Sequence, residues 1–288
     1  PDFVFDMLRL VGPVELEGEV YTPENFTDLL QYKVEKGYEQ LGVPSWHRKE
    51  VVGDIAREIK TRFLNEPLSK MMPLINRVGN NLREKNVIIY SKDALIQDLL
   101  KENNWWGGIR STDNDYLYVV DANMAALKTD AVMSKKIDYK LLQGSRGLVA
   151  SLSLHYFNEG AFDWRTTRYR TYTRVYVPAG AELLDYNGQS ESRVEVSHEL
   201  GKTVYSAFIS VEPGQKGVLN LQYRLPEQIN TAVVNGGYSL LLQKQPGNMV
   251  DNVNIDLDFA ALVNTYQPNS FFVAKNNEHN IVWQNKLI

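Results

Sequence analysis

The residues best equipped for chemistry in this 288-residue chain are its cations, and they fall into two groups. The first is RYRTYTRVYV, beginning at Arg168. Strand alternation places Arg168, Arg170, Tyr172, Arg174 and Tyr176 on one face, with Tyr169, Thr171, Thr173, Val175 and Val177 on the other. Planar guanidinium groups beside phenol rings suit phosphate, sugar or an acidic polymer. They suit equally a surface ladder paired with carboxylates on a neighbouring strand. The second group is Lys33, Lys36, His47, Arg48 and Lys49. A helix start attracts anions through its free N–H groups, so Lys33, Arg48 and Lys49 form a candidate phosphate site. A solvated helix start accounts for the same residues.

Other chemistries find less support. The chain has no cysteine, which excludes disulfides, thiolate metal sites, iron–sulfur clusters and a cysteine nucleophile. Its four histidines, His47, His155, His198 and His279, contain no i, i+4 pair of the helical zinc type. Asp113 and Asp115 hint at calcium, but the later ligands and the central glycine are missing, and a polar turn before a strand explains them. Asp256 and Asp258 share one face of a strand, as solvated residues do. Neither a Gly-x-Ser-x-Gly elbow nor a Walker-type loop occurs. The sequence therefore nominates no catalytic residue, no metal and no cofactor. A net charge of -4 argues against nucleic acid as a partner.

The elements that would hold these residues change character near residue 145. Before it, helices alternate with short strands. DFVFDMLRLV reads as a helix that stops at Gly12-Pro13. Thr22 and Pro23 read as the start of another, and Ser45 as the cap of a third carrying Val51, Val52, Ile55, Ile59 and Phe63 on one stripe. Pro73 should kink or divide the next helix. NVIIYS reads as a strand and SKDALIQDLLKEN as a helix capped by Ser91, a layered α/β signature. DYLYVVDAN and AVMSKKIDYKLL read as strands, the latter with Met133, Ile137, Tyr139 and Leu141 on one face.

From Leu148 onward the period is two: Leu148, Ala150, Leu152, Leu154 and Tyr156 share a face, as do Leu219, Leu221, Tyr223 and Leu225. Turn signals such as PAGA, EPGQKG and VNGG separate the strands, which suggests an antiparallel β-sandwich. The expected fold class is α+β, with an α/β region over 1–145 and a β-sandwich over 146–288. No apolar run approaches the roughly 20 residues that cross a bilayer. The chain opens on Pro1, so the expectation is a processed or truncated piece whose membrane anchor would lie upstream.

Two stretches carry family resemblances. DNDYLYVVDANMAALKTDAVMSKKIDYKL, then YRTYTRVYVPAGAELL and YSLLLQKQPG, resembles the C-terminal portion of the bacterial domain-of-unknown-function family 4012. That resemblance implies a single-pass, membrane-anchored envelope protein with a large extracytoplasmic region and implies no particular reaction. LRLVGPVELEGE and LLQYKVEKGYEQLGVPSWHRKEVVGDIAREI are similar to the second half of the LytR-CpsA-Psr phosphotransferases, which move glycopolymers from a polyprenyl-diphosphate carrier to the wall. Lys33 stands at that family's first arginine, Glu35 reverses the charge of its second, Arg48 matches its Arg-Gln arginine and Lys49 replaces the glutamine. The resemblances together imply an extracytoplasmic cell-envelope protein with a binding or structural role toward cell-wall glycan or lipid-linked glycan. Two alternatives stand beside it. One is a phosphotransferase using Lys33 and Arg48 on a lipid pyrophosphate; the other is a surface adhesin using Arg168, Arg170, Tyr172 and Arg174.

Overall fold

The computed structural model describes residues 2–40, 42–188, 190–259, 261–267, 273–277 and 279–287. It divides into two compact units, Pro1–Gly107 and Gly108–Ile288.

The first unit is mainly helical. Helix α1 (Asp2–Val11) leads into a hairpin, β1 (Val14–Leu16) and β2 (Glu19–Tyr21). Its two-residue turn puts both Glu17 (φ 53) and Gly18 (φ 79) at positive φ, as the tight turn matched to strand twist requires. Helix α2 (Phe26–Tyr32) starts three residues after the expected Pro23, because the Asn25 side chain accepts from the Thr22 amide at 2.8 Å and fixes the entry turn. The chain then widens into a π-helical turn over Lys33–Gly37 and a short α3 (Tyr38–Gln40). Helix α4 (Glu50–Asn65) begins after Lys49 and not at Ser45; it buries Val51, Ile55 and Ile59 at helical spacing. These pack with Met7, Leu8, Val14, Tyr21 and Val34 in a small core. Helix α5 (Leu68–Arg83) runs undivided through Pro73, its sixth residue, which forgoes a single i→i−4 backbone bond. Helix α6 (Ala94–Glu102) is capped by Asp93, which accepts from the Ile96 amide at 3.1 Å; Ser91 instead accepts from the Asp93 amide. The expected strand at NVIIYS is irregular chain, joined to the segment after α6 through Ile89 N–H and the Trp105 carbonyl at 2.9 Å. With the β1–β2 hairpin as its sheet among the described residues, this unit is not a layered α/β body.

The second unit is a two-sheet body. Its strands are β3 (Asp115–Asn123), β4 (Met133–Gly144), β5 (Gly147–Asn158), β6 (Tyr169–Pro178), β7 (Glu182–Gly188), β8 (Glu195–Glu199), β9 (Lys202–Val211) and β10 (Lys216–Arg224). After helix α7 (Glu227–Val234) come β11 (Leu240–Gln243), β12 (Val250–Asp258), β13 (Val273–Asn277) and β14 (Asn280–Leu287). One sheet has the order β13-β14-β12-β4-β5-β10-β7, the other β11-β3-β6-β9-β8. The class is therefore α+β. Most pairs are antiparallel, but β12 pairs β4 in parallel, as β11 does β3. Both late strands add to early ones across long connections, and such pairings leave no trace in local periodicity. The division falls at Gly107/Gly108 and not near residue 145: β3 pairs with β6 and β4 with β5, so both belong with the strands that follow residue 145.

The alternating residues behave as their period demands. Ile137, Tyr139 and Leu141 of β4, with Leu148, Ala150, Leu152 and Leu154 of β5, meet Leu117 of β3 and Val175, Val177, Tyr205, Ala207 and Ile209 from the other sheet in one core.

Candidate functional site

That core carries charge. On β4 the inward face continues from Ile137 to Lys135, which is 5% exposed. Its ammonium donates to Asp121 Oδ2 at 2.8 Å, to the Tyr169 hydroxyl at 3.1 Å and to Asn248 Oδ1 at 3.3 Å. Asp121, from β3, accepts on its other oxygen from Thr173 Oγ1 at 2.7 Å and the Tyr156 hydroxyl at 3.0 Å. Burial works against the Lys135 charge, but the Asp121 carboxylate and the Tyr169 oxygen outweigh it and raise its pKa. A buried ion pair holds only when its remaining donors and acceptors are met, and here each partner makes three hydrogen bonds. A void of about 20 Å³ adjoins the pair, lined among others by Asp121, Lys135, Gln245 and Asn248.

A second polar centre sits at the start of β3. Asp115 is fully buried, accepting from the Tyr238 hydroxyl at 2.6 Å, from the Tyr139 hydroxyl and from the Tyr116 amide at 2.7 Å. Burial pushes its carboxyl up to about 6 against the pull of those three hydrogen bonds. The expected polar turn thus applies to Asp113, which is exposed, while Asp115 belongs to the interior.

Tyr238 connects this centre to a cleft of about 610 Å³. Leu240 and Leu242 of β11, Ile255 and Leu257 of β12 and Ile281 and Trp283 of β14 form its apolar walls, with Phe259 and residues 261–267 along one side. β11 is only four residues long, and apolar side chains on both sides of it line open space. Ser239, Asn264, Thr265 and Gln267 supply polar groups at its margin. A volume of this size, mostly apolar with a few hydrogen-bonding groups, is typical of a small-molecule site.

The cationic candidates are placed elsewhere. Arg168, Arg170 and Arg174 do share the outer face of β6 with Tyr172, and each has a carboxylate partner: Glu212 at 2.5 Å, Glu191 at 3.2 Å and Glu199 at 3.3 Å respectively. The Tyr172 hydroxyl lies 3.4 Å from Glu195, and its ring packs on Phe208 with centroids 4.8 Å apart. The acids at 191, 195 and 199 come from β8 and the segment before it, reaching across the intervening β9, where Ser206 and Ser210 stand opposite Arg174 and Arg170. The face is an ion-paired ladder. In the first unit, Lys33 is buried against Glu17 at 2.5 Å. Arg48 reaches Glu35 at 3.4 Å and stacks over the Tyr38 ring at 5.7 Å. Lys49 is the residue that precedes α4. None of the three lines either cavity described above. Glu35, the charge-reversed position, is thus the ion-pair partner of Arg48.

Among the described residues no three histidines or carboxylates converge as a metal site, and His155 lies 2.8 Å from Asp138 on the sheet surface. Sequence reasoning missed Lys135, Asp121 and the cleft. A lysine between Met133 and Ile137 on an inward face was the signal available for the first. No motif marks the cleft: its walls come from separate strands and a loop between Val233 and Trp283 that meet only in the fold.

No family model matches the chain, and no curated protein matches its sequence. Among solved structures, a candidate nutrient binding protein from Legionella pneumophila superposes with a TM-score of 0.32 at 7% identity, over 61% of this chain and 69% of that one. Leukotriene A4 hydrolase from Saccharomyces cerevisiae gives 0.30 at 8% identity, over 57% of this chain and 28% of that one. An M1 zinc metallopeptidase from Deinococcus radiodurans gives 0.23 at 11% identity, over 54% and 39%. The chain thus spans well under half of the two enzymes, and likenesses this shallow carry no functional argument. No helix in the described residues is long and apolar enough to cross a membrane, which says nothing of strands.

Proposed function

We propose that this chain is an extracytoplasmic binding module of a bacterial cell envelope, and that its second unit takes the apolar part of a lipid-linked glycan into the cleft between β11 and β12. The observation that carries this reading is the cleft itself, with about 610 Å³ of space walled by leucine, isoleucine and tryptophan beside a polar margin. A chain of ten buried methylenes contributes about 8 kcal/mol at roughly 0.8 kcal/mol each. Association costs about 4–15 kcal/mol, so an apolar tail alone binds weakly and the margin must add contacts to a headgroup. Ser239, Asn264, Thr265 and Gln267 are placed to supply them. The role is binding without turnover. Lys33 and Arg48, the residues a phosphotransferase would present to a pyrophosphate, are engaged by Glu17 and Glu35.

Titration of the protein with a short-chain polyprenyl phosphate, followed by the fluorescence of Trp283, tests the proposal. The Trp283→Phe variant identifies the signal of that side chain. Saturable binding is expected, weakened at least tenfold by Leu257→Arg, which sets a charge among the apolar walls. Absence of saturable binding would overturn the reading, and so would equal binding of a soluble glycan fragment that lacks the lipid.

A further inference from the structure

We propose that the second unit matures by forming an intramolecular amide bond between Lys135 Nζ and Asn248 Cγ, with Asp121 as the proton carrier. This inference is independent of any ligand in the cleft. It starts from the kind of group that completes the ion pair, a carboxamide whose carbon an amine can attack. A buried lysine faces a carboxylate at 2.8 Å and, on its other side, a carboxamide oxygen at 3.3 Å. The carbonyl bond is only about 1.2 Å long, so the carbon to be attacked lies within about 4.5 Å of the amine. A modest turn of the Asn248 side chain closes that gap.

The surroundings fix each participant. Asn248 Nδ2 donates to Gln245 Oε1 at 3.0 Å, which orients the carboxamide with its oxygen toward Lys135. Gln245 is itself clamped on the backbone of Asp121: its Oε1 accepts from the Asp121 amide at 2.9 Å, and its Nε2 donates to the Asp121 carbonyl at 2.9 Å. The lysine, the acid and the carboxamide are thus held as one rigid constellation, the condition under which an intramolecular reaction gains most. The phenol rings of Tyr169 and Tyr156 stand 5.3 and 5.9 Å from the ammonium and keep bulk water away from it.

The step balances without an oxidant or a co-reactant. Lys135 passes a proton to Asp121, leaving a neutral amine and a carboxylic acid. The amine lone pair forms a C–N bond to Asn248 Cγ. Asp121 returns the proton to Asn248 Nδ2, the C–Nδ2 bond breaks and the nitrogen departs as ammonia; Asp121 then takes the second proton from the attacking nitrogen and ends as the neutral acid. The product is a secondary amide plus one ammonia molecule. The adjoining void of about 20 Å³ is large enough for a molecule the size of water or ammonia. The Asp121 charge holds Lys135 in its protonated form, so the neutral amine is a minor species and the bond forms slowly after folding.

The product would tie β4 to the segment entering β12, two strands that pair in parallel and are far apart in sequence. Intact-mass measurement of the folded full chain decides the matter. The expected mass is about 17 Da below that of the sequence, the loss of one ammonia. Tryptic digestion should then release a branched peptide joining Lys135 to Asn248. Lys135→Arg, which keeps the cation but removes the amine, and Asn248→Ala should each restore the full mass. Three results would overturn the proposal. One is an unmodified mass in cooperatively folded wild-type protein. Another is a mass loss that persists in Lys135→Arg, which marks succinimide formation at Asn248. The third is a branch to Asp121 with loss of water, which assigns the wrong partner.

Discussion

Replacing Asp115 by asparagine isolates the cost of ionising one carboxyl inside the sandwich. The native group is raised from 3.8 to about 6 by complete burial. The sign follows from proton binding: between those values the folded state holds a proton that the unfolded chain has released. Stability from this group is therefore fully present below about pH 4 and is lost as pH rises through about 6. A shift of about 2 units at 1.36 kcal/mol per unit amounts to about 3 kcal/mol. Above pH 6 the loss is complete and the difference is flat. Asp115→Asn removes the titration and keeps an oxygen for the Tyr238 or Tyr139 hydroxyl. Urea unfolding of both proteins at intervals from pH 4 to 8, followed by near-ultraviolet circular dichroism of the buried tyrosines, gives the difference at each pH. The other carboxyl groups titrate alike in both and cancel. The variant should gain about 3 kcal/mol on the wild type between pH 4 and 7. Parallel stability profiles across that interval, with the fold retained, would refute the reasoning.

Two further outcomes follow from geometry. Gly188 sits at φ 110, and a Cβ there would stand 2.1 Å from the Val218 carbonyl oxygen, so Gly188→Ala should cost about 2 kcal/mol or more and lower the thermal midpoint of the sandwich. Arg174→Ala removes an exposed rung of the β6 ladder and should cost no more than about 1 kcal/mol in urea unfolding, less at high salt; a loss above 2 kcal/mol would mean the face is not a solvated ladder.

How much of this was legible beforehand depended on whether the cause was local. The inward residues of β5 and β10 could be read from alternation because a half-buried strand imposes it wherever its partners lie. The α4 stripe could be read for the same reason at helical period. Helix starts were off by a few residues. A single side-chain bond can move a start: Asp93 caps α6 in place of Ser91, and Asn25, bonded back to the Thr22 amide, holds the turn before α2. NVIIYS had strand composition but found no strand to pair with, and composition does not supply a partner. The arginines of β6 were placed on the correct outer face by their period. Their glutamates came from three places, Glu199 from β8, Glu191 from the segment before it and Glu212 from just past β9, which spacing does not reveal.

The polar groups of the core answer a question that its leucines and valines leave open. A two-sheet core built only of aliphatic side chains tolerates sliding of one sheet over the other, since most displacements still bury apolar area. Replacing a buried ion pair by hydrophobic residues is often neutral or stabilising, so the Lys135–Asp121 pair is weak evidence for stability as such. Its position argues for a different role. Asp121 lies on β3 in the five-stranded sheet and Lys135 on β4 in the seven-stranded one, and Asp115 of β3 meets Tyr139 of β4 further along. Two facing strands are thus fastened at two points, in opposite chain order, by bonds that accept one register. During folding, before any amide forms, slipping β4 by a single residue would turn Lys135 out of the core and leave Asp121 buried without its cation, at a cost of about 3–5 kcal/mol. The register set by these two bonds also fixes where β11 and β12 end up as they add in parallel to β3 and β4, and with them the walls of the cleft.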